Sequence, residues 1–448
     1  MLTTTRRAAV CAVVPLVLAA CGGQTPAASQ APKTTGPVTL KAFIGGLDNL
    51  MLDRWDQEIA APFKQRQPNV TLQVINQGAE IGGIKTTGTL GVVEKLVAMI
   101  AGGDPPDIDD LPRSATWQFE QGFLDDKVDA LVKRDKFETK IFNQREFTSR
   151  AMHQGKVLQI PFKHGGNAVG FVVNRNLFAA EGVAIPATDP ARTWTFDQFV
   201  EASNKLTKRS GTAINQFAMQ NYGWYLGTWP LLWEADWVSK DHKTVTSDSA
   251  DMQDCYTKFA DLFHRHHVTP LPGEAMQLFG TANLFNAGKS AMAIFSAGSW
   301  GQFVTRGEIA DIAIVPLPRV KISSADVNVH SLGIIKGSKH PEPSFEAIKY
   351  LADGGRLARY SDRLPANLKE AEAWATTELK KYPNADPKTV FRILETHVPQ
   401  INLSGHKYQD DMLRILNPAL DGLLAGKEAP VPMLKRLKPE LQVWASKP

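Results

Sequence analysis

The chain has 448 residues, 43% of them hydrophobic and 21% charged, with a formal net charge of +4. These are globular values at a length beyond one ordinary core, which excludes a disordered or fibrous chain and predicts two lobes. The near-neutral charge balance, with no basic stripe carrying interleaved aromatics, argues against nucleic acid as a partner.

Arg6 and Arg7 open a short positive region, followed by the apolar run AAVCAVVPLVLAA and then CGG. The run is too short to cross a bilayer as a folded helix and has the layout of an export signal. LAAC at Leu18–Cys21, small residues ahead of a cysteine, resembles a bacterial lipobox. The resemblance implies removal of residues 1–20 as a lipoprotein signal peptide and acylation of Cys21. Residues 21–37 are small, polar and proline-bearing and read as the lipidated cysteine plus a flexible tether. Cys11 leaves with the signal and Cys21 is lipidated. Cys255 then remains alone in the amphipathic pattern DMQDCYTKFADLF, where a buried, inert thiol is expected and no intramolecular disulfide is available.

Ordered structure is expected from VTLKAFIGG, a strand ending in glycines. The helix MLDRWDQEIAAPFKQR, the strand VTLQVIN, the helix GVVEKLVAMIAG and the segment PPDIDDL follow. This strand–helix rhythm predicts a mostly parallel α/β sheet. KVLQIPFKHGGNAVGFVVNRNLF reads as two strands interrupted by a glycine-rich crossing. TWTFDQFVEASNKLTKRSG reads as a helix capped by Thr195 with Gly211 just past its end. NYGWYLGTWPLLWEADW holds four tryptophans. Pro230 suits a first helical turn, so PLLWEADW is expected to run helically, with Trp229, Trp233 and Trp237 spaced i, i+4, i+8 on one core face. Trp224 and Tyr225 precede that helix, where rings can face a cleft. ANLFNAGKSAMAIFSAGSWG, DIAIVPLPRV and VHSLGIIKGSKHPEPSFEAIKYLADGG each supply a further strand, and the remainder from Asn367 is mainly helical.

Several of these pieces in this order resemble bacterial extracellular solute-binding proteins of family 1, the lipid-anchored receptors of ABC importers for sugars and related solutes. They are KLVAMIAGGDPPDI, QGFLDD, GKVLQIPF followed by GFVVNRNLFAAEGV, TWTFDQFVEASNKLTK, LFNAGKSAMAIFSAGSWG and VPLP. One departure is WEADWVSKD, where many members carry a glycine pair. The resemblance implies an α/β, two-lobed, periplasmic-binding-protein-like fold with a three-crossing hinge. Residues 38–162 and 331–358 would form lobe one, and 163–329 and 365–448 lobe two. It implies a small-molecule ligand, ABC permease subunits as partners, a membrane reached through the lipid anchor, a monomer, and neither cofactor nor enzymatic activity.

A sugar site needs aromatic plates and planar polar groups, carried on loops just past strand C-termini. That rule selects Asp48, Asn49, Gln77, Glu80, Asp110, Arg113, His164, Asn167, Ser299, Trp300 and Ser331. Trp300 follows a glycine-serine turn, where a large ring is expected to find little core. Relatives place a stacking aromatic at the position of Tyr408. Arg113, His164 and Arg363 leave room for a negatively charged solute. Each loop polar also has a plainer role: Asp48 as a helix cap, Asp110 or Arg113 in a surface ion pair.

Two other chemistries have partial sequence support. HRHH at 264–267 does not converge for a metal. AGSWG around Ser299 is a near miss to a nucleophile elbow, and with HGGN it defines an alternative, a secreted α/β-hydrolase.

Overall fold

The computed structural model describes residues 36–78, 88–165, 168–220, 226–323, 329–395 and 402–447. The signal, Cys21 and most of the tether lie outside the described residues. In chain order the sheet strands are β1 (Val38–Ile44), β2 (Val70–Asn76), β3 (Ile108–Asp109), β4 (Gln159–His164) and β5 (Ala168–Asn174). β6 (Lys208–Ser210), β7 (Ala213–Gln220), β8 (Ser290–Ser296), β9 (Ile312–Val315) and β10 (Val329–Ile334) complete them. They form two five-stranded sheets, ordered β2-β1-β3-β10-β4 and β9-β5-β8-β7-β6.

β1 is parallel to both β2 and β3, and Ala42, Phe43 and Ile44 are all fully buried, as a strand covered on both faces requires. The sheets are nevertheless mixed rather than mostly parallel. β10 runs antiparallel to β3 and β4, and β5 antiparallel to β8 and β9. The reversals fall where the chain crosses between sheets and enters from the opposite end.

Each sheet has its own core. Leu40, Ile44, Trp55, Phe162, Leu332 and Phe345 pack around the first. Phe171, Phe199, Trp229, Phe259, Leu416 and Leu437 pack on one face of the second, and Val172, Phe295, Phe303 and Ala375 on the other. The chain passes between the two three times: from β4 to β5, from β9 to β10, and between helices Arg356–Tyr360 and Leu368–Glu378. The first and third passages lie side by side, since Lys163 pairs with Pro365 and the His164 N–H donates to Leu364 O at 2.8 Å.

Thr195 caps its helix as expected, with Gln198 completing the reciprocal bond. The helix ends at Leu206, however, and Gly211 turns the β6–β7 hairpin at φ +62° instead. The tryptophan segment also differs from expectation. Its helix covers only Thr228–Leu232. Glu234 takes a left-handed φ of 52°, the Ala235 N–H donates to Pro230 O and the Glu234 N–H to Leu231 O, which closes a Schellman turn. Trp229, Trp233 and Trp237 are buried all the same, with Trp233 Nε1 on Asp254 at 2.7 Å and Trp237 Nε1 on Leu226 O at 2.8 Å. Cys255 is buried in helix Ala250–His264, and burial pushes its thiol pKa up. No described helix is long and apolar enough to cross a membrane.

Candidate functional site

β1, β2, β3, β4 and β8 all end at one cleft, and a cavity of about 370 Å³ lies there. The first-lobe wall is Gly45 and Gly46 after β1, Gln77 after β2, Lys163 at the end of β4 and His330 in β10. The second-lobe wall is Ser296, Gly298 and Ser299, then Gln302 and Arg306. His164, Gly165 and Arg363, from the crossing segments, close it between the walls.

The glycines are required by packing. A Cβ on Gly45 would strike the Gln77 amide oxygen, and Gly46 sits at φ +76°. Gln77 is fixed because its Nε2 donates to Phe43 O at 3.2 Å and Asp110 O at 3.0 Å.

A buried charge cluster supports the first wall. The Lys163 ammonium donates to Asp110 Oδ2 at 3.0 Å and Gly45 O at 3.2 Å, and His330 Nδ1 lies 2.9 Å from Asp110 Oδ1. Burial alone would raise the Asp110 carboxyl, but Lys163 and His330 outweigh it and hold the pKa below the ordinary range. Burial, despite Asp110, pulls both Lys163 and His330 below their ordinary values. Asp109 next door is enclosed; burial first, and then the Asp110 charge, push its pKa well up, against the weaker pull of backbone N–H groups at Leu111 and Gly333.

Ser296 and Ser299 bind each other reciprocally: the Ser299 N–H donates to Ser296 Oγ and the Ser296 N–H to Ser299 Oγ, both at 2.9 Å. The Gly301–Thr305 turn that follows carries Arg306, whose guanidinium lies 3.6 Å from Asp48 and 3.3 Å from Asp362.

Of the residues selected from sequence, the cavity brings together Gln77, His164, Ser299 and Arg363. Glu80, Asn167, Trp224 and Tyr225 lie outside the described residues. Asp48 and Asn49 do not line the cavity: Asp48 caps helix Asn49–Trp55 through the Met51 N–H, and Asn49 is exposed on its first turn. Asp110 stands behind the wall. Arg113 is not a surface residue; its side chain is 4% exposed and paired with Asp410, 5.5 Å from the Trp117 ring.

Trp300 is corrected outright. The backbone turns helical at Ala297–Ser299, which swings the indole into the core between Phe295 and Trp374, with ring centres 5.9 and 5.5 Å away. Tyr408 packs on Trp444 of helix Pro430–Ala445 rather than on the cavity. Ser331 is buried off the cavity, while His330, its neighbour on β10 and so on the opposite face, lines it. The histidines at 264–267 diverge: His264 meets Leu423 O, His266 meets Asn204 and His267 meets Glu274.

Lys163, His330, Ser296, Gln302 and Arg306 were not selected from sequence. Lys163 had a usable signal, a lysine inside an otherwise apolar strand. Such a residue is buried only if paired.

A cleft whose walls come from two sheets, with the chain crossing repeatedly beneath it, defines a binding protein that encloses a small solute between lobes. Among the described residues Ser299 bonds only Ser296, so the hydrolase alternative is not supported. The family description "Bacterial extracellular solute-binding protein" matches residues 50–353, and the chain belongs to that family. Among solved structures it is similar to an ABC substrate-binding protein of Listeria monocytogenes in complex with cycloalternan, with TM-score 0.73, 18% identity, and 91% of this chain and 98% of that one covered. A maltose-bound protein of T. maritima gives 0.71 at 18% identity, covering 90% and 99%. UgpB from Mycobacterium tuberculosis in complex with glycerophosphocholine gives 0.70 at 16% identity, covering 92% and 98%. No curated protein sequence matches the chain.

Proposed function

We propose that the chain is the extracytoplasmic receptor of an ABC importer. It captures a sugar, oligosaccharide or related polyol between its lobes and delivers it to permease subunits, without covalent chemistry. The observation that carries this reading is a polar cleft whose lining comes from both lobes. A solute touching both walls binds the closed state better than the open one, and that difference is the signal a transporter can read. The solutes named with the similar structures, cycloalternan, maltose and glycerophosphocholine, are all rich in oxygen and agree with such a lining.

In this reading the signal peptide is removed, Cys21 carries the lipid, and the monomeric receptor works on the outer face of the cytoplasmic membrane. Trp224 and Tyr225 supply its stacking edge.

A thermal-shift screen of sugars and polyols tests the receptor. A solute at a hundred times its Kd adds about 2.7 kcal/mol of stability, with no turnover. Steady hydrolysis of an ester or glycoside abolished by Ser299→Ala would sink the reading. Palmitate labelling that survives Cys21→Ala would remove the anchor.

A further inference from the structure

The cavity walls carry three cationic side chains, Lys163, Arg306 and Arg363. Among the described residues that line it there is no carboxylate and no phenyl, phenol or indole ring. These described walls offer donors and positive charge instead.

Two of the cations converge on one point. A methyl group built on Gly46 would lie 3.7 Å from Lys163 Nζ and 3.9 Å from an Arg363 guanidinium nitrogen. Gly46 has no side chain, so that corner stays open between them. Asp110, fully buried, holds Lys163, and Asp48 and Asp362, neither of which lines the cavity, hold Arg306. Beside burial, the Arg363 charge itself disfavours the Lys163 ammonium, against the pull of Asp110. Two like charges in a partly desolvated corner repel, and an anion between them turns that repulsion into charge-assisted hydrogen bonds.

We propose that this corner holds a phosphoryl group and that the solute is a phosphorylated polyol, a phosphomonoester or phosphodiester. This inference rests on the receptor reading above. Lys163 and Arg363 reach that corner and Arg306 faces the same cavity, so a tetrahedral phosphoryl group, with oxygens in several directions, can meet more of these cations than the two coplanar oxygens of a carboxylate. About 370 Å³ also exceeds the needs of a bare ion. The remaining space faces Gln77, Gln302 and the Ser296–Ser299 pair, which suit polyol hydroxyls.

The test is calorimetric titration of the full-length protein with glycerol 3-phosphate, glycerophosphocholine, glucose 6-phosphate, inorganic phosphate, glucuronate and maltose. At least one organic phosphate binds, more weakly as sodium chloride is raised. Arg363→Gln weakens that binding by about 30-fold, equivalent to about 2 kcal/mol. Arg363→Lys recovers part of it, and unchanged melting temperatures of the unliganded variants show that the fold survives. Maltose binding that is indifferent to Arg363→Gln, with no organic phosphate bound, overturns the inference and leaves the receptor standing. Preference for glucuronate overturns the phosphoryl assignment. Inorganic phosphate binding as tightly as its esters overturns the polyol. Binding of none of the six overturns the inference together with the choice of solute class it rests on.

Discussion

Asp236 is a carboxylate that the fold keeps largely out of water for the sake of two backbone bonds, from the Asn402 N–H at 2.6 Å and the Trp237 N–H at 2.7 Å. Burial, only partly offset by those bonds, raises its pKa to about 6. The unfolded value is about 3.9, so the folded chain keeps this proton longer. The stability tied to it is complete below pH 4 and is lost as pH rises through 6. Relative to Asp236→Asn, wild-type stability should fall by about 2–3 kcal/mol between pH 4 and 7.5. Urea denaturation of both proteins across that range checks it, and parallel curves would refute it. At this scale the sequence told which loops mattered better than which side chains. Gln77 and His164 were legible because loops past strand ends are where a cleft forms. Ser331 in place of His330 was a one-residue error, since VHSLG alone does not say which of two alternating neighbours faces the cleft. Trp300 was misjudged because its burial depends on Trp374, far along the chain.

Periodicity carried most of the element scale. β1, β2, β4 and β5 and the Thr195-capped helix follow from apolar patterning and capping chemistry. The tryptophan segment shows where that logic stops. The i, i+4, i+8 spacing found the right buried residues, yet the helix ends after Leu232 with a glutamate in the left-handed position usually given to glycine. Trp237 reaches the core by a turn instead of a helical face. Trp233 meets Phe196 edge to face, with ring centres 5.5 Å apart, and anchors its indole N–H on Asp254. Trp233→Ala should cost about 3–5 kcal/mol by thermal denaturation. A loss under 1 kcal/mol would mean that the second core closes around the gap.

Across the whole molecule the lobes are tied by specific contacts on either side of the cavity. Arg113, beyond β3, pairs with Asp410 at the start of helix Gln409–Leu424, and the Gln121 amide donates to Lys407 O at 2.9 Å. Arg414 meets Glu94 at 2.8 Å, and Arg306 meets Asp48 at 3.6 Å. Arg113 is the buried member, so breaking its pair leaves a charge without compensation unless the cleft opens to water. The unliganded Asp410→Asn protein should therefore show a larger radius of gyration by X-ray scattering than wild type, and bind its solute more weakly. An unchanged radius would mean that the pair does not bias closure. None of these ties is readable from local sequence, because each joins residues more than 250 positions apart.

The order of strands in the first sheet sets a timetable for synthesis. β10 lies between β3 and β4, yet it begins at Val329, after the whole second sheet has been made. While the ribosome is still producing the middle of the chain, β3 and β4 have no partner between them, and Ile108, Ile160 and Phe162 cannot complete their packing. Long-range pairing of this kind folds slowly. Completion of the first sheet therefore waits until most of the polypeptide exists, although β1, β2 and β3 can pair earlier.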